Sequence, residues 1–490
     1  MTRISERAWG WLAPAAVAVL ALVLRLWNLG RPNAVMFDET YYAKDAWSLL
    51  HFGYVQDFTE QANDEIVAGR TGIERLVTGE PTWIVHPDAG KWFIALGEQL
   101  FGMNAFGWRV SAVVAGALTV FVLARLVRRL TGSTWIGVLA GLLLTLDGTH
   151  FVMSRIALLD VFLTLWLVCA VAALAADRDW LARRLRTRPG LALVRPWQLA
   201  AGISFGLACG TKWSGLYVLA ALGLAIVAWE FALRRSLGQR LSVARFLTWS
   251  SSAFVSLVVV AFLVYLVTCT GFLVHHEVYV ERFGNGYGDI ERWEQRGPFG
   301  ALWNFHVMTL DFHTGEYLAG KTHPYASHPL GWLVQWRPVS VHTATDVAAE
   351  QCGAPATSTC ISEVLILGNP AIWWVGALAV VAAIVAFVRR PSWRWSVPLL
   401  GVAATWLPWF ASTDRPIFSF YAVATVPFLI VAICLLVAGA ERRRPRAARL
   451  AAGAFVALVI ALFWWFHPVW TDALMPYDDW RARLWFARWI

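Results

Sequence analysis

The sequence predicts an all-α, polytopic membrane protein with about eleven transmembrane helices and two long extracytoplasmic loops. Of the 490 residues, 58% are hydrophobic and only 15% are charged, whereas soluble proteins carry about 25% charged residues. The apolar residues occur in runs near the roughly 20 residues that a helix needs to cross the hydrocarbon core. The formal net charge of +9 does not indicate a nucleic-acid surface, because the basic residues lie in short clusters between apolar runs.

The apolar runs define the expected spans. They are residues 9–28, 105–124, 133–149, 156–176, 196–211, 213–233, 246–271, 370–388, 395–411, 416–440 and 450–466. No small-residue cleavage site follows the first run, so we interpret it as a retained helix rather than a signal peptide. Only Lys212 separates the fifth span from the sixth, which predicts a tight turn there.

Basic residues give the expected orientation, since cytoplasmic loops of membrane proteins carry an excess of Lys and Arg. Clusters precede the first span and follow the even-numbered ones: Arg3 and Arg7; Arg125, Arg128 and Arg129; Arg178, Arg183, Arg184, Arg186 and Arg188; Arg234, Arg235 and Arg240; Arg389 and Arg390; Arg442, Arg443, Arg444 and Arg446. This predicts a cytoplasmic N-terminus and an extracytoplasmic C-terminus in the plasma (inner) membrane. All histidines, from His51 to His467, and all lysines fall on the outer side.

This topology divides the chain into three parts. Residues 1–271 form an N-terminal membrane module whose first extracytoplasmic loop, 29–104, is expected to be catalytic. Residues 272–369 form a second extracytoplasmic loop, and long loops of this kind are usually functional. Residues 370–490 hold the C-terminal membrane helices and a tail, 467–490, whose interleaved aromatic and arginine residues predict an amphipathic helix on the outer interface.

Two of the six cysteines lie in a polar part of the second outer loop, whereas the other four lie in or beside apolar runs. Two outcomes are open for Cys352 and Cys360. They form a local disulfide, which an extracytoplasmic compartment permits, or they remain two free thiols.

The first outer loop opens with an acidic pair, Asp38 and Glu39, flanked by aromatic residues. A carboxylate close to a membrane is a functional candidate by default, because burial is costly and raises its pKa toward the range of a general base. The structural alternative is a pair of acids in the first turn of a helix predicted at 40–52.

The same loop contains His86, Pro87 and Asp88, followed by Lys91 at the start of a predicted interfacial helix over 91–100. His86 and Asp88 are candidates to orient Asp38 or to bind a metal. A capped turn fixed by Pro87 is the alternative.

Charged groups also lie where the third and fourth spans meet, at Asp147, Arg155 and Asp160. Charges at a membrane boundary need partners or ligands, and a guanidinium is a planar fork of donors suited to phosphate. Arg155 is therefore a candidate phosphate contact, and a structural ion pair with Asp147 or Asp160 is the alternative.

Further candidates lie at later turns on the outer side. Lys212 at the tight turn and Arg415 before the tenth span are possible phosphate contacts, with snorkelling to the interface as the alternative for Lys212. Gln335 and Arg337 in the second loop and Tyr421 after Arg415 are candidate site-shaping residues. The histidine spacing matches no standard zinc framework, and Asp38 and Glu39 lack a full ligand set for a divalent cation.

These groups are all predicted on one membrane face. Carboxylates, a few cations and many aromatic rings together suit a lipid-linked phosphosugar, since cations hold the phosphate and a carboxylate activates an acceptor.

Taken in order, the motifs resemble those of the protein O-mannosyltransferases of the GT-C superfamily, especially the actinobacterial members, over roughly residues 10–470. The carrying residues are Phe37-Asp38-Glu39, His86-Pro87 with Gly90-Lys91, Asp147-Gly148 with Arg155 and Leu158-Leu159-Asp160, Lys212-Trp213-Ser214, and Arg415 with Phe420-Tyr421.

The resemblance implies transfer of mannose from a polyprenyl-phosphate-mannose donor to Ser or Thr of exported proteins, with inversion at the anomeric carbon. Asp38 would be the base, Glu39 would help to shape the catalytic site, and Arg155 would face the donor phosphate, with Lys212 and Arg415 as additional contacts. The expected partners are the donor lipid, acceptor proteins, the bilayer and, as a further candidate, the secretion translocon. No nucleic acid and no certain cofactor are implied.

Two features depart from the family's pattern. The second outer loop is too short for the soluble lumenal domain of eukaryotic members, and Asp88 replaces a second proline after His86-Pro87. The polar stretch 56–80 is a candidate cover for an acceptor groove. Another GT-C enzyme that moves a different sugar, or a transporter of lipid-linked sugars, remains an alternative; a transporter would be expected to show an internal inverted repeat.

Overall fold

The structure is a computed structural model that describes residues 5–82, 85–188, 190–239, 242–283 and 297–490. The helices up to residue 268 are Glu6–Leu26 (α1), Glu39–Phe52 (α2), Ala62–Val67 (α3), Ile73–Leu76 (α4), Ala89–Phe101 (α5), Ala105–Thr131 (α6), Thr134–Thr145 (α7), Gly148–Met153 (α8), Asp160–Thr187 (α9), Pro196–Thr211 (α10), Gly215–Ser236 (α11), Val243–Phe254 (α12) and Val260–Thr268 (α13). A π-helical segment, Val255–Val259, joins the last two into one long helix.

The later helices are Thr270–Val274 (α14), His276–Phe283 (α15), Gly297–Thr314 (α16), Glu316–Ala319 (α17), Pro370–Arg389 (α18), Trp393–Trp406 (α19), Val426–Arg443 (α20), Pro445–Trp470 (α21) and Tyr477–Arg483 (α22). Short 3₁₀ helices lie at Pro329–Val334, Ala349–Gln351, Leu407–Ala411, Ser419–Ala424 and Ala487–Trp489. The strands are Gln56–Phe58 (β1), Val77–Pro81 (β2), Val339–Val347 (β3), Cys360–Ile366 (β4) and Met475–Pro476 (β5).

Helical segments lie in every predicted span, and the protein is a multi-pass membrane protein. Seven helices in the described ranges have the length and mean hydropathy of a span. They are α1, α6, α9, α11, the combined helix Val243–Thr268, α18 and α21. The other predicted spans hold α7, α10, α19 and α20, so the count of eleven stays a prediction.

Helix α9 lies at the centre of the bundle, packed against α6, α10 and α11. Its apolar positions are buried nearly all round, as expected of a helix that is hydrophobic on every side. It begins at Asp160, next to the turn between α10 and α11. The predicted tight turn is confirmed, because α10 ends at Thr211 and α11 starts at Gly215.

The first outer loop folds back onto the bundle. Helix α2 and helix α5 pack against each other, and α5 packs on α6. A Cβ on Gly97 of α5 would overlap the carbonyl oxygen of Gly107 in α6, so only glycine allows this close approach. The helices predicted at 40–52 and 91–100 are confirmed as α2 and α5. Between them, β1 and β2 form an antiparallel pair.

The structure adds to three expectations about the fold. The largely α-helical protein also contains strands, since β3, β4 and β5 form an antiparallel sheet. The third predicted span, 133–149, is broken after Thr145, because the carboxylate of Asp147 caps α8 through the amide of His150. A disulfide joins Cys352 to Cys360, which settles the choice between a bond and free thiols.

The tail is also not one amphipathic helix. It holds the end of α21, β5, α22 and a 3₁₀ turn. Two of its tryptophans, Trp480 and Trp489, are anchored in the sheet and the second loop, whereas Trp485 is 41% exposed. The indole of Trp480 donates to Glu363 at 2.7 Å, and that of Trp489 donates to the carbonyl of Gln335 at 2.8 Å.

Candidate active site on the first outer loop

Asp38 immediately precedes α2 and follows Phe37, which adopts a left-handed backbone with φ +47°. This conformation is uncommon for a bulky residue and persists only where the surroundings enforce it. The Phe37 ring meets Phe418 and Phe420 edge-on at 5.7 and 5.8 Å between ring centroids. Within the described chain, the Asp38 carboxylate makes no hydrogen bond that caps α2, so the acid is not used as a helix cap.

The neighbouring carboxylate, Glu39, has a different environment. It is fully buried and receives two hydrogen bonds from the guanidinium of Arg109 in α6, at 2.8 and 2.9 Å. It also accepts from the backbone amides of Met36 and Ala157, each at 3.0 Å. Glu39 therefore joins the start of α2 to α6 and to the segment before α9, and it has no face toward a substrate.

Arg109 completes this junction. Besides Glu39, its guanidinium donates to the carbonyls of Leu29, Pro32 and Ala34 at 3.3, 2.9 and 2.8 Å. The chain from the end of α1 to α2 is thus wrapped around one buried arginine. Because Asp38 lies inside this wrapped segment, the ion pair determines where its carboxylate points.

A second buried ion pair lies beside Asp38. The Lys212 ammonium lies 3.0 and 3.1 Å from the two carboxylate oxygens of Asp160 and 4.7 Å from the ring centroid of Tyr421. Asp160 is the first residue of α9, where the helix dipole favours an anion. Burial raises the pKa of Asp38 to about 6, Lys212 partly opposes that rise, and Asp160 adds to it. All three groups therefore share one electrostatic environment.

Two histidines and an arginine form another side of the pocket. The rings of His86 and His313 stack with centroids 5.5 Å apart, and Arg415 lies 3.5 Å from Nδ1 of His313. Burial, together with neighbouring cations, lowers the pKa of His86 well below its usual value and that of His313 to about 4. Both imidazoles are neutral near pH 7, so they act as hydrogen-bonding groups rather than as cations.

Asp88 and Lys91 follow His86 closely in the chain and form a buried ion pair. The Lys91 ammonium is 3.1 Å from Asp45 of α2 and 3.3 Å from Asp88. Burial raises the pKa of both acids, and Lys91 opposes that rise. This buried triad fixes α5 against α2 and so supports the wall that carries His86.

Four other predicted site residues are occupied elsewhere. Arg155 donates to the carbonyls of Arg25 and Trp27 at 2.6 and 2.7 Å, and it thereby caps the C-terminal end of α1. Backbone carbonyls thus take up Nη1 of its guanidinium, and the donor-phosphate role of Arg155 stays a prediction.

The remaining three bind backbone or indole groups. Asp147 accepts from the indole of Trp373 at 2.7 Å, Gln335 accepts from the amide of Gly368 at 2.7 Å, and Arg337 donates to the carbonyl of Ile490 at 2.7 Å. These hydrogen bonds tie the three residues to neighbouring segments of the chain, and their role in shaping the site stays a prediction.

An apolar groove opens next to the pocket. It runs between α11, α13 and α16, has a volume of about 480 Å³ and includes Trp213, the residue after Lys212. A much smaller cavity, of about 30 Å³, also borders Trp213 and is lined in part by His86 and Asp88. In the described ranges, no group of three or more His, Cys, Asp or Glu side chains is arranged to hold a metal ion.

Sequence reasoning missed Arg109, His313 and Tyr42, whose ring lies beside His86 with 6.2 Å between the ring centroids. Arg109 is a charge inside a predicted apolar span, 105–124, and such a charge always requires a partner; that signal could have paired it with a loop carboxylate. His313 and Tyr42 carried no comparable signal, since their role depends on how α16 and α2 fold back over the site.

The fold is that of GT-C glycosyltransferases. The S. cerevisiae protein O-mannosyltransferase Pmt1–Pmt2 complex bound to the sugar donor matches with a TM-score of 0.73 and 15% identity, over 100% of this chain and 93% of that one. ArnT from Cupriavidus metallidurans bound to undecaprenyl phosphate matches with a TM-score of 0.52 and 16% identity, over 88% and 60% of the two chains.

Sequence relatives define the family. The family model "Dolichyl-phosphate-mannose-protein mannosyltransferase" matches residues 15–280, and the model of the C-terminal four-transmembrane region of protein O-mannosyltransferases matches residues 298–489. Polyprenol-phosphate-mannose–protein mannosyltransferases of Mycolicibacterium smegmatis and Corynebacterium glutamicum are 33% and 31% identical, covering 99% and 100% of this chain and 94% of each relative. The chain belongs to the protein O-mannosyltransferase family, as the motifs predicted.

The Glu39–Arg109 junction gives a first prediction. We expect Glu39→Gln and Arg109→Lys to lower the thermal stability of the protein in detergent and to abolish most activity. Removing one partner of a buried pair costs about 3–5 kcal/mol, and lysine cannot reproduce a bidentate contact. Thermal unfolding followed by fluorescence, together with an activity assay, measures both effects.

Glu65 and Arg70 provide the matched control, because they form a similar two-pronged pair at 2.6 and 2.7 Å on the surface. We expect Glu65→Gln to leave the thermal stability close to that of the wild type, since exposed pairs contribute little. Equal behaviour of Glu39→Gln and Glu65→Gln would contradict the structural role of the buried pair.

Proposed function

We propose that the protein transfers mannose from a polyprenyl-phosphate-mannose donor to the hydroxyl of Ser or Thr in exported proteins. The observation that carries this proposal is the pocket itself. Asp38, whose pKa is raised to about 6, shares it with Lys212 and lies near the head of an apolar groove. The names of the full-length relatives supply the sugar, its lipid carrier and a protein acceptor.

The reaction that fits these groups is one direct displacement. The Asp38 carboxylate accepts the proton of the acceptor hydroxyl as its oxygen bonds to the anomeric carbon. The bond between that carbon and the phosphate oxygen breaks, and the bonding electrons leave with the polyprenyl phosphate. A single displacement inverts the anomeric carbon and needs no covalent enzyme intermediate.

The leaving phosphate needs positive charge more than it needs an acid. Lys212 and Arg415 supply that charge, with Tyr421 packed beside Lys212. Since His86 and His313 are neutral near pH 7, these two cations carry the electrostatic stabilisation of the developing charge. We assign Glu39 a positioning role and leave Arg155 out of the phosphate site, given their backbone and ion-pair partners.

The apolar groove suits the lipid part of the donor. Its lining includes Leu216, Leu219 and Phe262, and the last is 58% exposed on the outside of the bundle. A prenyl chain lying there would enter from the bilayer while its phosphate reaches Lys212.

The acceptor would approach from the opposite, aqueous side. The segment 56–82 lies beside the start of α2, where Asn63 donates to the hydroxyl of Thr40 at 2.9 Å. We propose this segment as one wall of the acceptor cleft. We propose that the protein lies in the plasma membrane with the pocket and the C-terminus outside. There it would act on exported polypeptides as they leave the secretion translocon.

Asp38→Asn tests the base directly. We expect it to lower mannose transfer at least about 100-fold, because the amide keeps the shape of the carboxylate but cannot accept the proton. The assay is transfer of labelled mannose from polyprenyl-phosphate-mannose to a Ser/Thr peptide in reconstituted membranes. The exposed Asp478→Asn is the matched control and should behave as the wild type. Label that reaches only lipid, or a fully active Asp38→Asn, would contradict the proposal.

The pH profile gives an independent test. Only ionised Asp38 can act as the base, so kcat/KM should fall about tenfold per pH unit once the pH is below about 6. Since Lys212 lowers the pKa of Asp38, Lys212→Gln should move this inflection to higher pH. A rate that stays constant from about pH 8 to about pH 5 would exclude Asp38 as the titrating base.

The two cations should affect the donor rather than the peptide. We expect Lys212→Gln and Arg415→Gln each to lower kcat about 100- to 1000-fold, as loss of one preorganised charge does, with little change in the KM for the peptide. The exposed Lys321→Gln serves as the control. A change confined to the peptide KM would remove either residue from the phosphate site.

A further inference from the structure

A second apolar groove lies far from the pocket around Asp38. It runs between α7 and α21 and has a volume of about 630 Å³. The groove begins near Trp135, just beyond the end of α6, whereas Arg109 lies near the start of that helix. Because a helix rises about 1.5 Å per residue, about 30 Å of α6 separate Arg109 from this groove. We call it the distal groove.

Each of the two helices lines the distal groove with residues spaced three and four apart. On α7 these are Trp135, Val138, Leu139 and Leu142, and on α21 they are Arg449, Ala452, Gly453 and Val456. This spacing places the four residues of each helix on one side of that helix. The small side chains of α21 give the groove its depth, since a Cβ added to Gly453 would point into open space.

The length of the distal groove fits an acyl chain better than a neighbouring helix. From Arg449 to Val456 it extends for seven residues of α21, or about 10 Å, whereas half of the hydrocarbon core measures about 15 Å. A membrane helix of another protein would pack along much more of Pro445–Trp470. Only 22% of the most apolar 18-residue stretch of α21 is buried inside the protein, so lipid surrounds most of this helix.

Positive charge lies at the mouth of the distal groove. Residues 441–449 contain five arginines and one acid, Glu441. Glu441 accepts from the indole of Trp135 at 3.0 Å and from Nε of Arg449 at 2.9 Å. Among the described residues, Nη1 and Nη2 of Arg449 have no hydrogen-bond acceptor, and this side chain is 66% exposed. The groove therefore has a cation at its entrance whose donor groups are free for a ligand.

A second arginine continues the helix face that lines the groove. Arg446 lies three residues before Arg449, in the first turn of α21, so the two guanidinium groups lie on the same side of the helix. Like charges at this spacing repel each other, and the positive end of the helix dipole adds to the repulsion. One anion between the two arginines would relieve both effects, and a phosphate offers oxygen atoms suited to guanidinium groups.

We propose that the distal groove binds one anionic phospholipid from the leaflet at this end of the bundle. Its phosphate lies between Arg446 and Arg449, and one acyl chain follows Ala452, Gly453 and Val456 toward the middle of the bilayer. A zwitterionic phospholipid carries the same phosphate together with a cation that the arginines repel, so the site discriminates by headgroup charge. This site takes no part in the proposed sugar transfer and does not depend on it.

Native mass spectrometry of the purified full chain measures this binding directly. After mild delipidation, phosphatidylglycerol or phosphatidylcholine with the same acyl chains is added, and the bound lipids are counted. For the wild type, we expect one phosphatidylglycerol to bind at least about tenfold more tightly than phosphatidylcholine, as two basic residues at an anionic headgroup allow. We expect Arg449→Gln to weaken the binding of phosphatidylglycerol about fivefold, the effect of losing one of these cations.

Gly453→Leu tests the groove itself. Because the new side chain would occupy open space, the variant should fold and yet exclude the acyl chain. We expect phosphatidylglycerol to bind about tenfold more weakly, the scale of an overpacked apolar contact. Two controls should bind as the wild type does. Gly439→Leu also fills open space, on α20, and Arg235→Gln removes an exposed arginine at the end of α11.

Three results would overturn the site. The first is equal binding of the two lipids by the wild type, or unchanged phosphatidylglycerol binding by Arg449→Gln or Gly453→Leu. The second is an equal loss in Arg235→Gln, which would show attraction to the whole basic surface instead of the groove. The third is a dimer that Gly453→Leu dissociates, which would identify a second copy of the chain as the occupant.

Discussion

The buried ion pair between Glu39 and Arg109 is the constraint on which the site depends. A charge inside a helical bundle is tolerable only when its hydrogen-bonding groups are satisfied, and Arg109 meets this need with one carboxylate and three backbone carbonyls. Those acceptors come from the chain between α1 and α2. Satisfying one arginine in α6 therefore fixes the path of the loop and, with the left-handed backbone of Phe37, the direction of Asp38. The carboxylate that we propose as the base is thus positioned by the buried ion pair of its neighbour, Glu39.

The pocket balances its charges before a donor arrives. Asp38 and Asp160 are opposed by Lys212 and Arg415, while His86 and His313 stay neutral because burial and nearby cations lower their pKa values. A donor phosphate adds one negative charge beside the cations and strengthens their interaction with the leaving oxygen. If His86 and His313 were protonated, their positive charges would lower the pKa of Asp38 and make its carboxylate a weaker base. Neutral histidines keep Asp38 moderately basic without losing the hydrogen-bonding groups.

The sequence predicted the membrane architecture, α2, α5 and the turn at Lys212, because each depends on local patterns of apolar and charged residues. It did not predict the β3–β4–β5 sheet or the folded tail, because β4 pairs with β5 about 115 residues later in the chain. The backbone partners of Arg155 were not predicted for a related reason. A sequence shows that a buried arginine needs acceptors, but it does not show that the carbonyls at the end of α1 provide them. Arg109 was overlooked for the same reason.

The turn between α10 and α11 links lipid recognition to chemistry. Two consecutive residues of this turn face different ways: Lys212 faces Asp160 and the pocket, and Trp213 faces the groove. A Cβ at Gly215 would press on the backbone of α10, which shows that the turn is closely packed against that helix. In the proposed donor pose, a lipid chain that fits poorly against Trp213 would also have its phosphate displaced from Lys212. Misplacement of about 1 Å near a reacting bond can cost about 100-fold in rate. The rigidity of this turn therefore converts a small difference in the fit of an apolar chain into a difference in the rate of bond cleavage.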